Sequence, residues 1–440
     1  MEGPSNLHAL RHESRSTVAV VFSLFVVSGF TGLAYEVIWA RMLVRVLGAT
    51  TLAVTTVLAS YMAGLALGSI IFGRVVDRRG NPIRIYGFLE LGIGLFALVF
   101  PYLITLVNPF YRAVYPALQG SFYLLSAVRF ALCFAILLIP TILMGGTLPV
   151  LSKFVAEGLS SLTRRVGRLY AVNTFGAVVG AFATGFLILP RLGMRNTTWL
   201  AAVLNGLIVI VALLLARGPT TAHDAGAEAS GETYRPRRSP GRSRLLLAVF
   251  ASTGFCALAV EVVWTRMLAL VVGTTVYAFA LMLTTFLLGL ALGSAAFARV
   301  AQGSRRPGLI MGLVVCLIGL SIAAGLVAFG NLPIIYMSLY QRIDLTWTSL
   351  SWLEFMLCAL IMLGPTFLMG GLFPLVARLY ARDIDRVGRE IGTMYAFNTI
   401  GAILGSFAGS FFFLRYLGIV DSLALISAVY MGLGLSLIHI

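Results

Sequence analysis

The sequence predicts an all-α polytopic membrane protein: twelve transmembrane helices arranged as two parallel six-helix repeats. Three observations predict it. Of 440 residues, 59% are hydrophobic and only 11% charged, against roughly 25% charged in a soluble domain, so the solvent for most of this surface is a bilayer. Apolar runs of about 20 residues, long enough to cross a hydrocarbon core, recur along the chain. The second half also repeats the first at a constant, ungapped offset of 225 residues.

The apolar runs place spans 1–6 at 17–38, 48–73, 84–107, 122–145, 167–190 and 197–216. Spans 7–12 follow at 244–264, 273–299, 308–330, 348–370, 391–414 and 419–440. The N-terminal half is thus 1–216 and the C-terminal half 244–440, joined over 217–243 by a polar, Gly/Ala/Pro-containing stretch that reads as a flexible cytoplasmic linker.

Cation placement gives the orientation. With the N-terminus inside, the inner segments hold 23 of the 32 Lys and Arg, the outer segments 8, and Arg129 falls within a span. This asymmetry puts both termini in the cytoplasm. The first span carries no cleavage-site pattern and reads as a helix, not a signal peptide. The net charge of +16 comes from short loops between apolar runs, so it reports membrane topology and not nucleic-acid binding. Cys133, Cys256, Cys316 and Cys358 all sit in apolar segments, as small hydrophobes do. The four His lie in tails or linker, so no metal, cofactor or nucleophile site is expected.

The repeat is visible in four motif pairs. "YEVIWARML" (Tyr35–Leu43) returns as "VEVVWTRML" (Val260–Leu268), and "GLALGS" (Gly64–Ser69) returns unchanged at Gly289–Ser294. "PTILMGGTLP" (Pro140–Pro149) returns as "PTFLMGGLFP" (Pro365–Pro374), and "YAVNTFGAVVG" (Tyr170–Gly180) as "YAFNTIGAILG" (Tyr395–Gly405). Each unit has an even number of spans, so both copies enter the membrane from the same side. Such parallel repeats are related by an axis along the membrane normal, with sites at the repeat interface.

Twelve spans in two parallel sixes resemble the major facilitator superfamily. The loop "GRVVDRRG" after span 2 resembles that superfamily's inner-loop pattern through Gly73, Asp77, Arg78 and Gly80. Gly73 permits close helix approach, Asp77 can cap or pair near a helix end, and Arg78 can snorkel or bind a carboxylate. The second copy has Ala298, Gln302 and Gly303 at corresponding points. More closely, "GFTGLAYEVIWARML", "YMAGLALGS", "LMGGTLPVL" and "YAVNTFGAVVGA" together resemble the membrane part of the fused MFS/spermidine-synthase family. That resemblance implies a soluble spermidine-synthase-like domain downstream, and this sequence carries no nucleotide-binding loop that would belong to one. The last six residues, "LSLIHI" (Leu435–Ile440), match the translated sequence of a common transposon-based sequencing adapter. The expectation is a fragment, with an adapter-derived tail and the soluble domain missing.

Ionisable residues at membrane depth are costly and mark functional sites by default. They are Glu36, Glu90, Arg129, Glu261 and Glu354. The resemblance implies that spans 1, 4, 7 and 10 line a central cavity, which covers all of them except Glu90. Arg129 and Glu354 are 225 apart, at equivalent points of the two halves, and are candidates for a gating or substrate-linked pair. The alternative gives each a local partner, for example Glu90 for Arg129. Glu36 with Arg41, and Glu261 with Arg266, lie toward the outer ends of spans 1 and 7. They read either as an interfacial anchor, with Trp39 in an aromatic belt, or as two acids at an outer entrance attractive to a cation. Asn173 and Asn398 can hydrogen-bond across helices.

Glycines four apart recur as Gly64 and Gly68, Gly176 and Gly180, Gly289 and Gly293, and Gly401 and Gly405. Each pair lies on one helix face and permits close packing. The resemblance implies that these helices meet between the halves, where the glycines would form a smooth rocking surface.

Two functions follow as expectations. One is a transporter working by alternating access on a small solute, a polyamine among the candidates, with the lipid bilayer as solvent and proton coupling through Glu90 or Glu354. The other is a non-transporting membrane anchor or regulator of a cytosolic aminopropyltransferase-like domain.

Overall fold

The computed structural model describes residues 4–47, 51–78, 80–118, 120–156, 158–217, 240–273, 276–342 and 346–438. Within these, some side chains, Arg129 and Cys133 included, lie outside the described set, as does most of the linker.

Twelve long α-helices are described. The N-terminal half contains α1 (Pro4–Leu47), α2 (Thr51–Arg78), α3 (Pro82–Leu118), α4 (Phe122–Val155), α5 (Leu159–Ala183) and α6 (Leu189–Leu215). The C-terminal half contains α7 (Pro240–Val272), α8 (Val276–Gly303), α9 (Pro307–Tyr340), α10 (Trp347–Tyr380), α11 (Val387–Phe407) and α12 (Gly418–Ile438). Wider π-helical turns, Thr184–Ile188 and Ala408–Leu417, follow α5 and α11.

Ten helical segments are long and apolar enough to cross a membrane, and two of them, Ser161–Leu215 and Ile384–Ile438, run to 55 residues. Fifty-five helical residues would span about 80 Å, far beyond one bilayer. Each contains a break at a glycine: Gly193 at φ 71° and Gly418 at φ 75°. A left-handed backbone is open to glycine at little steric cost, and these two glycines are repeat equivalents. They divide each long segment into an ascending and a descending helix.

Within each half the packing repeats. α2 packs on α4, α1 on α5 and α3 on α6, while α8 packs on α10, α7 on α11 and α9 on α12. The halves meet chiefly along two seams, α2 with α11 and α5 with α8.

The glycine pairs belong to the first set of contacts, not the second. A Cβ on Gly64 or Gly68 would meet Thr141 or the Ile142 carbonyl of α4; on Gly289 or Gly293 it would meet Thr366 or the Phe367 carbonyl of α10. Gly176 and Gly180 press on Val26 and Phe30 of α1, and Gly401 and Gly405 on Ala251 and Phe255 of α7. The expected rocking surface is therefore corrected: these glycines bring backbones together inside each half. Spacing shows that two glycines share a face, but not which neighbour that face meets. Different residues close the seams between halves.

Candidate functional site

A central cavity of about 280 Å³ lies between the halves. α1 and α7, the first helix of each repeat, bring Glu36 and Glu261 to its wall, and α3 brings Glu90. Glu36 and Glu261 are close enough to interact electrostatically. Aromatic side chains from both halves complete the wall: Tyr61 on α2, Tyr170 on α5, Phe373 on α10 and Tyr395 on α11. Tyr170 stacks on Phe373 with centroids 4.4 Å apart, and Tyr395 meets Phe373 edge-on at 6.4 Å. The Tyr61 hydroxyl donates to the Gly32 carbonyl at 3.1 Å, fixing that ring against α1. Among the described lining residues there is no Lys, Arg or His, so the three carboxyl groups meet no cationic side chain in that wall.

The Arg-rich face below the cavity is closed along the two seams. Asp77, at the end of α2, accepts the backbone N–H groups of Gly388 (3.0 Å) and Arg389 (2.8 Å) in the first turn of α11. A carboxylate there satisfies unpaired amides and complements the helix dipole. Lys153 of α4 lies 3.8 Å from Asp77 and donates to the Ile384 and Asp385 carbonyls at 2.8 and 2.9 Å. Deeper in this seam, Ser69 donates to the Gly392 carbonyl at 3.0 Å. The repeat equivalent on the other seam is Ser294 donating to the Gly167 carbonyl, also at 3.0 Å. At the position equivalent to Asp77, Gln302 accepts from Arg164 Nε at 2.9 Å. Toward the opposite face, Phe186 of the π turn after α5 meets Tyr277 of α8 (5.3 Å) and Trp347 of α10 (5.8 Å).

Residues 20–340 match the family model of the Major Facilitator Superfamily. The chain belongs to the Major Facilitator Superfamily. Its fold is similar along 96% of its length to three solved proteins at low identity. The human organic anion transporter MFSD10 (TETRAN) gives a TM-score of 0.60 at 13% identity with 99% of that chain covered. The fucose:proton symporter FucP of E. coli gives 0.55 at 15%, with 98% covered. A bacterial homologue of the iron transporter ferroportin gives 0.58 at 15%, with 98% covered. Among curated proteins, polyamine aminopropyltransferases 2 and 1 of Ralstonia nicotianae (strain ATCC BAA-1114 / GMI1000) are each 24% identical over 197 residues, 45% of this chain. The match spans 35% and 34% of those two proteins' own lengths. The chain is thus a superfamily membrane protein that resembles the membrane part of the fused family.

This superfamily fold separates the residues of the duplicated opening motif. A five-residue step turns about 140° around a helix, so Glu and Arg do not share a face. Glu36 and Glu261 line the cavity, deeper than the outer entrance expected of them, whereas Arg41 and Arg266 do not line it. Arg41 lies instead within electrostatic reach of Tyr277 of α8, and Arg266 is exposed. Trp39 is no belt residue: it is fully buried, stacked between Tyr35 at 5.0 Å and Phe100 of α3 at 4.7 Å. Trp264 is buried as well.

Glu90 departs from expectation in the opposite sense. It lines the cavity although α3 was outside the implied set, because Ser28 of α1 and Asn205 of α6 hold its carboxylate. Glu354 does not line the cavity. It is half-buried, within electrostatic reach of Tyr336 of α9 and of Cys358. The Arg129 side chain lies outside the described residues. In the inner-loop motif Gly73 lies against the Gly388 backbone, Arg78 is exposed, and Gly80 turns the chain at φ 37°. Asn398 donates to the Phe250 carbonyl of α7 at 3.0 Å.

The sequence reading missed Ser28, Asn205, the tyrosines and Lys153. Two signals were available: Tyr170 and Tyr395 open the duplicated "YAVN/YAFN" motif, and Lys153 is the only lysine in the chain.

Proposed function

We propose that this protein is a secondary transporter of small organic cations, polyamines foremost, working by alternating access. The halves 1–216 and 244–440 rock about the cavity, with 217–243 as a cytoplasmic linker, in a bacterial inner membrane with both termini cytoplasmic. One observation carries the reading. The repeat-equivalent acids Glu36 and Glu261 share one cavity with Glu90 and an aromatic wall, and no described cation answers them. An ammonium group over a tyrosine face gains about 0.5–2 kcal/mol beyond its attraction to carboxylates, so this lining favours an organic amine over an anion or a sugar. The closed Arg-rich seams and the aromatic contact at the other end supply two places to open in turn.

The test is uptake of labelled spermidine into proteoliposomes, with Glu36→Gln and Glu261→Gln as variants. Loss of one carboxylate from an enclosed cation site should lower apparent affinity at least tenfold, which is about 1.4 kcal/mol. Uptake unchanged in Glu261→Gln refutes the acidic site.

A second reading is favoured by the names of the curated relatives: the chain anchors or regulates a cytosolic aminopropyltransferase domain. The full-length gene discriminates. A downstream nucleotide-binding fold, with no polyamine uptake by the reconstituted full-length protein, supports the anchor.

A further inference from the structure

We propose that a groove between α3 and α6, open to the bilayer at the end away from the Arg-rich face, binds the headgroup of an anionic phospholipid of the phosphatidylglycerol class. The inference is independent of what the central cavity carries.

The groove is a second cavity, of about 220 Å³, lined by Pro101, Tyr102 and Thr105 of α3 and by Arg195, Thr198 and Trp199 of α6. α3 leaves the Arg-rich face at Pro82, and its apolar span closes at Leu106. Tyr102 and Thr105 therefore lie beside the opposite membrane surface. Tyr102 and Trp199 are 59% and 47% exposed. Tyr and Trp at this depth sit at headgroup level, and an Arg beside them reaches the phosphates there. In the topology proposed above this is the outer leaflet.

The two halves differ here. The positions equivalent to Tyr102, Thr105, Arg195, Thr198 and Trp199 are Val327, Gly330, Val420, Leu423 and Ala424. α9 packs on α12 as α3 packs on α6, so pairing these two helices requires none of the polar or aromatic side chains of the groove.

The lining selects the headgroup. Among the described lining residues Arg195 alone is charged, and a guanidinium takes a phosphodiester through two parallel N–H···O bonds. Thr198 donates its hydroxyl hydrogen to the Met194 carbonyl at 2.8 Å, and Thr105 donates to the Tyr102 carbonyl at 2.7 Å. Both hydroxyl oxygens are left as acceptors, so the group beyond the phosphate must donate. The hydroxyls of a glycerol headgroup do so. An ethanolamine headgroup also donates, but it is zwitterionic and leaves the guanidinium charge uncompensated, whereas phosphatidylglycerol cancels it.

The test reads Trp199 fluorescence in the full chain, reconstituted into phosphatidylcholine nanodiscs doped with dibrominated phosphatidylglycerol or dibrominated phosphatidylethanolamine. Bromine quenches tryptophan on contact, and the Trp199 contribution is the difference between wild type and Trp199→Phe. Half-maximal quenching should need about fivefold less phosphatidylglycerol than phosphatidylethanolamine, the preference that one Arg at an anionic headgroup supplies. Arg195→Gln should abolish that difference and Arg195→Lys should keep part of it. Arg191→Gln, exposed at the same end but outside the groove, should leave it intact. Equal quenching by the two lipids in wild type means annular lipid only and overturns the proposal. A preference that survives Arg195→Gln, or that Arg191→Gln removes equally, overturns it as well. Native mass spectrometry of the detergent-purified wild type needs no variant: phosphatidylglycerol should be retained over phosphatidylethanolamine, and equal retention overturns the proposal.

Discussion

Replacing Asp77 by alanine should unlatch the Arg-rich face. The wild-type carboxylate takes two backbone N–H groups of α11 at 3.0 and 2.8 Å while only 10% exposed. Hydrogen bonds to a charged group contribute about 1.5–3 kcal/mol each. Once the face opens, water satisfies the same amides, so the lower end applies, about 3 kcal/mol in total. Lys153 at 3.8 Å adds little beyond that, because it keeps its two carbonyl partners. At about 1.4 kcal/mol per factor of ten, the open population should rise about 100-fold. The assay is maleimide labelling from the Arg-rich face of a cysteine at position 69, in a background with the four native cysteines replaced. Ser69 is completely buried in this seam, so labelling reports opening. Asp77→Ala should speed labelling about 100-fold, and Asp77→Asn, which keeps an acceptor, by less. A folded Asp77→Ala variant that labels within twofold of its parent refutes the reasoning.

The same assay grades the other seam. Arg164→Ala removes one charge-assisted bond whose solvent exposure keeps its net contribution to about 0.5–1.5 kcal/mol, and should speed labelling about tenfold or less. Gly68→Ala and Gly293→Ala push a methyl into the Ile142 and Phe367 carbonyls. Each should cost about 1–3 kcal/mol through backbone displacement and lower the melting temperature in detergent, whereas Gly206→Ala meets open space and should not.

The sequence carried the architecture because its strongest signal, an ungapped repeat, survives any uncertainty about helix ends. It also marked Glu36 and Glu261 as equivalent acids, but at an outer entrance and beside the alternative of an interfacial anchor, whereas both line the cavity. What it lacked was helix azimuth. Trp39 looks interfacial by its distance along α1, and only the neighbouring α3, bringing Phe100, makes it core. Glu90 stood out as an ionisable residue at membrane depth, but its partners Ser28 and Asn205, 62 and 115 residues away, were hidden for the same reason. The glycine pairs advertise close contact without naming the partner. Asp77 was the exception, because a carboxylate beside a loop has few roles other than capping a helix end, although the helix it caps lies 311 residues away in the other half.

The substitution of Asp77 by Gln302 in the second copy has a mechanical consequence. At equivalent positions the two seams of the Arg-rich face carry unlike latches: a nearly buried carboxylate on two backbone amides, and an exposed guanidinium on one side-chain amide. Under the same load the exposed single-bond latch should yield first, so parting would start between α5 and α8 and end between α2 and α11. The halves then do not separate as mirror images. If the halves rock as proposed, they swing as a door hung on the Asp77 side, and a solute leaving by this face would exit along α5 and α8.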